Sequence, residues 1–158
     1  MIELSDEKVL YAFDRTLEPA LTVASGETVR IRTKDCFGNQ VQKPTDELDE
    51  IDWNHINPAT GPIYVEGAVA GGALKVSIDA IEFDGQTASC TGEGEGVCGD
   101  RFNAWSTHLC AIDGDELVWD DALRIPLNPM IGVIGVAPAG DAVNCGTPGS
   151  HGGNMDNT

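Results

Sequence analysis

Basic residues are scarce in this sequence. Nine Lys and Arg stand against 26 Asp and Glu, giving a formal net charge of -17. Such a surface repels phosphate backbones, which argues against nucleic acid and anionic membranes as partners. The acidic excess is dispersed rather than gathered into a tail, so its plain role is solubility. No apolar run reaches the roughly 18 residues that a bilayer crossing takes. The opening MIELSDEKV is acidic and has no basic stretch leading into an apolar one. No secretion signal is read there, and a cytoplasmic location is expected.

Other absences narrow the chemistry. No C-x-x-C spacing occurs among Cys36, Cys90, Cys98, Cys110 and Cys145. Their number is odd, and a zinc cluster of Cys90, Cys98, His108 and Cys110 fits no structural zinc spacing. Free, partly buried thiols are expected instead. The glycine-rich TGEGEGVCGD lacks the lysine of a phosphate loop, and its Glu93 and Glu95 would repel phosphate. It reads as a surface loop. No G-x-S-x-G elbow surrounds a serine, and Ser150 and His151 are sequence neighbours, an arrangement rarely suited to a nucleophile and its base. No cysteine sits where a lowered pKa is expected. Neither a tandem repeat nor a long amphipathic helix is found.

What is present reads as strands. The chain has 158 residues, 41% of them hydrophobic, enough for a single β-rich domain over residues 1–158. KVLYAFD is rich in apolar and aromatic positions. PALTVASGETVRIRT alternates around the turn Ser25-Gly26, which predicts a hairpin with Arg30 and Arg32 on its wet face. DELDEIDW, with Leu48 and Ile51 three apart, predicts a short helix capped by Thr45 or Asp46. In LKVSIDAIEF, Leu74, Val76, Ile78 and Ala80 share one face, which predicts a half-buried strand. MIGVIGV is apolar on both faces and is expected to be buried, while Pro126 and Pro129 exclude one long central strand. The predicted fold is mainly β, an antiparallel β-sandwich-like domain with one or two short helices.

The last ten residues, GSHGGNMDNT, gather His151, Asn154 and Asp156 around a Gly-Gly pair. These side chains suit metal binding and carbonyl polarisation, and glycines allow sharp bends. Glu66 lies within the otherwise apolar YVEGA. Turned inward it would be desolvated and favour its protonated form; turned outward it is an ordinary strand residue. Asn57 precedes a proline and reads equally as a turn starter. His55 is expected to be solvated and His108 to be a hydrogen-bonded core residue.

Three segments occur in a telling order: NPATGPIYVEGA (residues 57–68), IPLNPMIGVIGVAP (125–138) and PGSHGGNMD (148–156). Together they resemble the acetamidase/formamidase family, whose members carry TGP-x-x-VEGA, IPL-x-P-x-x-G-x-IGVAP and P-G-x-HGGNMD in that order. The SGETV region is similar to that family's first strands. Members are typically about twice this long and continue into a second half with a G-D-x-H-A type motif. The resemblance therefore implies an N-terminal half, a fragment or one subunit of a split enzyme. Where members often read EPGD after VEGA, this sequence has Val69, Ala70, Gly71 and Gly72.

The resemblance implies a metal-dependent hydrolase of short non-peptide amides, of the formamide or acetamide type, that releases ammonia. It implies Glu66, turned inward, as the proton-transfer group and His151 and Asp156 as ligands of a divalent metal, zinc first; calcium in its place would point to the third expectation below. Asn57 and Asn154 would bind the substrate amide. Further ligands would come from the missing half, and the surface left uncovered implies a homo-oligomer or a second chain. The rival expectation is a catalytically incomplete half that binds a small ligand or a partner. A third is a β module binding carbohydrate or calcium through its acidic loops.

Overall fold

The computed structural model describes residues 1–83 and 85–155, and strands dominate them. In chain order these are β1 (Ile2–Leu4), β2 (Val9–Leu10), β3 (Ala12–Phe13), β4 (Leu21–Val23), β5 (Val29–Ile31), β6 (Ala59–Thr60), β7 (Ile63–Val65), β8 (Gln86–Thr91), β9 (Ser106–Asp113), β10 (Glu116–Val118), β11 (Arg124–Pro126), β12 (Val133–Gly135), β13 (Val143–Asn144) and β14 (Gly152–Asn154). Among the described residues the helical content is two 3-10 turns, Trp53–His55 and Gly99–Arg101. The mainly β, antiparallel fold expected from the sequence is what forms. No helix of the described residues is long and apolar enough to cross a membrane.

The chain divides into two compact units. The first comprises Met1–Gly38, Trp53–Ile78 and Ile131–Thr158; the second comprises Asn39–Asp52 and Asp79–Met130.

The first unit is built from paired strands. β2 runs antiparallel to β6, β3 to β13 and β12 to β14. Two pairs are parallel, β1 with β5 and β4 with β7. The hairpin predicted around Ser25-Gly26 is thereby corrected. The turn itself exists: Gly26 has a φ of +92°, and the Ala24 N–H donates to the Glu27 carboxylate at 2.8 Å. Its arms part company, however, because β4 pairs with β7 and β5 with β1. Val23 is buried beside its register partner Val65, whereas Ile31 stays exposed. Alternation made both arms strands without deciding which strand each would join. Phe13, Val23 and Cys145 form this unit's buried apolar set.

The second unit centres on a four-stranded antiparallel sheet in the order β11-β10-β9-β8. β8 and β9 pair from Gln86↔Ala111 to Thr91↔Ser106. β9 and β10 close through Gly114-Asp115, where Gly114 has a φ of +61°. Pro126 lies on the edge strand β11, where a missing N–H costs least. Cys110, Val41 and Leu48 are buried. The Thr107 hydroxyl donates to the Asp46 carbonyl at 2.6 Å, and Gln42 and Lys43 donate N–H groups to the Asp46 carboxylate at 2.8 and 2.9 Å.

Three further expectations are corrected. DELDEIDW forms a turn, with the Glu50 N–H donating to the Glu47 carbonyl, and the 3-10 helix begins only at Trp53. LKVSIDAIEF contributes no strand, and residues 73–80 are exposed on both faces. A period of two requires a neighbour to bond and a surface to cover, and the described residues supply neither. MIGVIGV is not wholly buried: Met130, Ile134 and Val136 are exposed, and only residues 133–135 form a strand. TGEGEGVCGD does form a surface loop, exposed from Glu93 to Val97 with Gly92 and Gly99 buried, and the Gly94 N–H donates to the Gly99 carbonyl at 3.1 Å.

Candidate active site

The HGGN segment is shaped by where its backbone must pass. The Gly149 N–H donates to the Gly152 carbonyl at 2.8 Å, and the Gly152 N–H returns a bond to the Gly149 carbonyl at 3.0 Å. This ring places His151 at a tight turn leading into β14. Gly152 and Gly153 have φ values of +110° and +109°. A Cβ on Gly152 would run into the Ile134 carbonyl oxygen and come within 2.6 Å of the Gly135 Cα. A Cβ on Gly153 would run into the Thr147 carbonyl oxygen. The two glycines therefore let β14 lie close against β12 and the 147–148 loop. That requirement alone accounts for both of them.

The His151 ring is held from two sides. Its Nδ1 lies 2.9 Å from where a Gly149 Cβ would stand. On the other side it meets the buried Phe13 ring edge-on, with centroids 5.4 Å apart. The His151 carbonyl accepts the Val136 N–H at 2.8 Å. Its Nε2 is buried and has no hydrogen-bond partner among the described residues. Leaving such an atom unpaired costs about 1–3 kcal/mol, so it calls for an explanation.

Asn57 lies in the same unit. It adopts a φ of +51°, and its N–H donates to the Cys36 carbonyl at 2.7 Å. Its Nδ2 lies 3.3 Å from where a Gly146 Cβ would stand, and the Asn144 Oδ1 lies 3.1 Å from the same point. Asn144 Oδ1 accepts the Gly146 N–H at 2.8 Å. Two amide side chains thus flank Gly146, one of which, Asn144, sequence reasoning missed. Its signal was the Asn-x-Gly spacing of an Asx turn. β3 connects this cluster to His151, because Phe13 pairs with Val143 and Ala12 with Asn144.

The other expected site residues fall as follows. Asn154 is half-buried on β14, opposite Val133. Glu66 is exposed, contrary to the expectation that it turns inward. Its N–H donates to the Val23 carbonyl at 2.8 Å, which continues the β4–β7 ladder. β7 ends at Val65, and Glu66 enters a turn that the Ala68 N–H closes on the Val65 carbonyl at 3.2 Å. Asp156 lies outside the described residues. Among the described residues, no group of three or more His, Cys, Asp and Glu is placed to hold a metal ion. His151 fits as a single ligand, since its buried Nε2 has its lone pair or proton unspent.

Two of the cysteines are too deeply buried to serve as nucleophiles. All five are free thiols. Cys145 is fully buried, its Sγ faces the Leu10 carbonyl at 3.5 Å, and burial pushes its pKa up to about 11. Burial raises the Cys110 thiol as well. Both stay protonated and unreactive near neutrality. His108 is the hydrogen-bonded residue expected, with its Nε2 2.8 Å from the Trp119 carbonyl. His55 is exposed, with its ring edge-on to Tyr11.

The model of the Acetamidase/Formamidase family matches residues 5–145. The chain belongs to that family. Solved structures agree with the assignment. The acetamidase from Bacillus halodurans is 42% identical with a TM-score of 0.87. A predicted acetamidase/formamidase from Thermoanaerobacter tengcongensis is 47% identical with a TM-score of 0.92. The acetamidase from Yersinia enterocolitica, at 23% identity and a TM-score of 0.78, shares the fold. Each match covers 98% of this chain and 52% of the other. The chain thus spans about half the length of the solved acetamidases it matches. No curated protein matches it.

Proposed function

We propose that this chain contributes one half of a site that hydrolyses short amides, such as formamide and acetamide, to a carboxylate and ammonia. The observation that carries the reading is the buried Nε2 of His151, which has no partner among the described residues and lies in the last of the three segments whose order resembles the family, just beyond the residues 5–145 that the family model matches. A burial cost of that kind is retained where the atom has a ligand or substrate to meet.

In the reaction, water oxygen attacks the carbonyl carbon, the C–N bond breaks, and the nitrogen leaves with a proton. His151 and Asp156 would hold a divalent metal, zinc in our reading, which would polarise the carbonyl and make water more acidic. Glu66 would take the proton from water and pass it to the leaving nitrogen. It is exposed on this chain, so that role requires the rest of the site to be built over the turn that follows β7. Asn57 and Asn154 would hold the substrate amide, each offering both donors and an acceptor. The remaining ligands would come from the other half of the fold, from a second copy or from another chain. Five free thiols suit a reducing compartment such as the cytoplasm.

One observation favours the rival reading, a catalytically incomplete module that binds a partner. Leu74, Val76 and Ile78 form an exposed apolar row. The test is ammonia release from formamide and acetamide, with and without added zinc. It compares the chain alone with the chain joined to the part of the Bacillus halodurans acetamidase outside the match. Zinc-dependent release by the joined protein, lost in Glu66→Gln, is expected. A folded joined protein without turnover would reduce the chain to a binding module.

A further inference from the structure

Residues 73–78 have the sequence of a strand and, among the described residues, lack the bonds of one. Leu74, Val76 and Ile78 alternate with Lys75 and Ser77, and Val and Ile favour the extended backbone. A turn in which the Gly72 N–H donates to the Val69 carbonyl at 3.0 Å delivers the chain into this segment. From residue 73 to residue 78 no backbone group bonds to another described residue. Leu74, Val76 and Ile78 are 50%, 57% and 55% exposed. A row of this kind, open in both backbone and side chains, is a template for an incoming strand.

We infer that residues 73–78 are the seat of an added strand, and that the strand belongs to the other half of the acetamidase fold. The segment lies within the part of this chain that the solved acetamidases match, and that match accounts for only 52% of their length. The family fold therefore contains about as much polypeptide again, and an open strand row is where it gains most by docking. The incoming strand bonds to the free N–H and C=O groups and lays its own apolar row over Leu74, Val76 and Ile78. The inference rests on the reading above only in treating the other half as a partner; it makes no use of catalysis.

Amide hydrogen exchange tests it. In the chain alone, peptides covering residues 73–78 should exchange without protection at every protein concentration. Joined to the unmatched part of the Bacillus halodurans acetamidase, or mixed with that part in trans, they should slow by about tenfold or more. Val76→Pro should abolish that protection and leave the β4–β7 peptides unchanged. Protection in the chain alone that grows with concentration would assign the row to a second copy and overturn the inference. So would open exchange at residues 73–78 in a joined protein whose β4–β7 peptides are protected. Failure to form a folded joined protein together with failure to bind in trans would also overturn it. Protection without ammonia release would keep this inference and overturn the proposed function; ammonia release without protection would do the reverse.

Discussion

The imidazole of His151 stands edge-on to the ring of Phe13, with centroids 5.4 Å apart and planes inclined by 65°. Phe13 is 7% exposed and is part of the core of its unit, so the candidate site is anchored directly on that core. The same ring explains Gly135. A Cβ there would come within 3.1 Å of the Phe13 Cζ and 2.8 Å of the His151 carbonyl oxygen. Core, strand crossing and histidine therefore depend on one another.

Phe13→Ala should destabilise the protein by about 3–5 kcal/mol, the usual cost of emptying a buried phenylalanine site. Phe13→Leu should cost less and still remove the edge contact. Its expected signature is a shift of the His151 ring-proton resonances in NMR spectra, from loss of the ring current. Unmoved resonances in a folded Phe13→Leu protein would mean that Phe13 does not set the position of the imidazole.

Gly153→Ala should be worse than an average surface change, because it forces a Cβ into the Thr147 carbonyl oxygen at a φ of +109°. Strain of that sort costs on the order of 1–3 kcal/mol before the clash is added. Gly140 has open space around its would-be Cβ, so Gly140→Ala should stay within about 0.5 kcal/mol of wild type. Urea denaturation of the two variants side by side decides the matter. Equal midpoints would show that the 147–148 loop can move away from Gly153 at no cost.

Cys145 sets an alkaline limit. Its folded pKa is raised from 9.0 to about 11 by burial, so the folded state holds its proton more tightly than the unfolded chain does. The stability this contributes is full below 9.0 and is lost as pH rises toward about 11. At the acid end the sign reverses. Backbone N–H groups of Thr16 and Gln42 hold the Asp14 and Asp46 carboxyls below their ordinary 3.8, and what they contribute is lost as pH falls through that region. Melting temperatures between about pH 8 and pH 11, for wild type and Cys145→Ala, provide the test. The wild-type curve should fall more steeply. In parallel, a thiol reagent should modify exposed Cys36 well before Cys145. Parallel melting curves would remove burial as the cause.

Local signals were legible where they needed no partner. KVLYAFD and IYVEGA hold strands at 9–10, 12–13 and 63–65, and Pro126 and Pro129 excluded one long central strand around them. His108 was readable as a bonded residue because an apolar setting demands a partner for its ring. What the sequence concealed was always a question of pairing. The arms around Ser25-Gly26 look like a hairpin, yet each finds a parallel partner far along the chain. Leu74, Val76 and Ile78 look half-buried, yet nothing described covers them. The neighbours of Glu66 leave its orientation open and only the family resemblance turns it inward, yet it follows the end of β7 at Val65, enters a turn and is exposed. Gly152 and Gly153 suggested a bend that brings ligands together, whereas their visible task is close backbone packing. The Asn57–Asn144 pair around Gly146 lies 87 residues apart in sequence and needed the fold to appear.

The most direct measurement is ammonia release from formamide and acetamide by the joined protein, comparing wild type with His151→Asn at matched thermal stability. If the buried Nε2 of His151 belongs to the reacting centre, turnover should fall by about a hundredfold or more, as when a group acting on the reacting atoms is lost. Unchanged turnover in a folded His151→Asn protein would contradict the account, leaving His151 as packing and the site elsewhere.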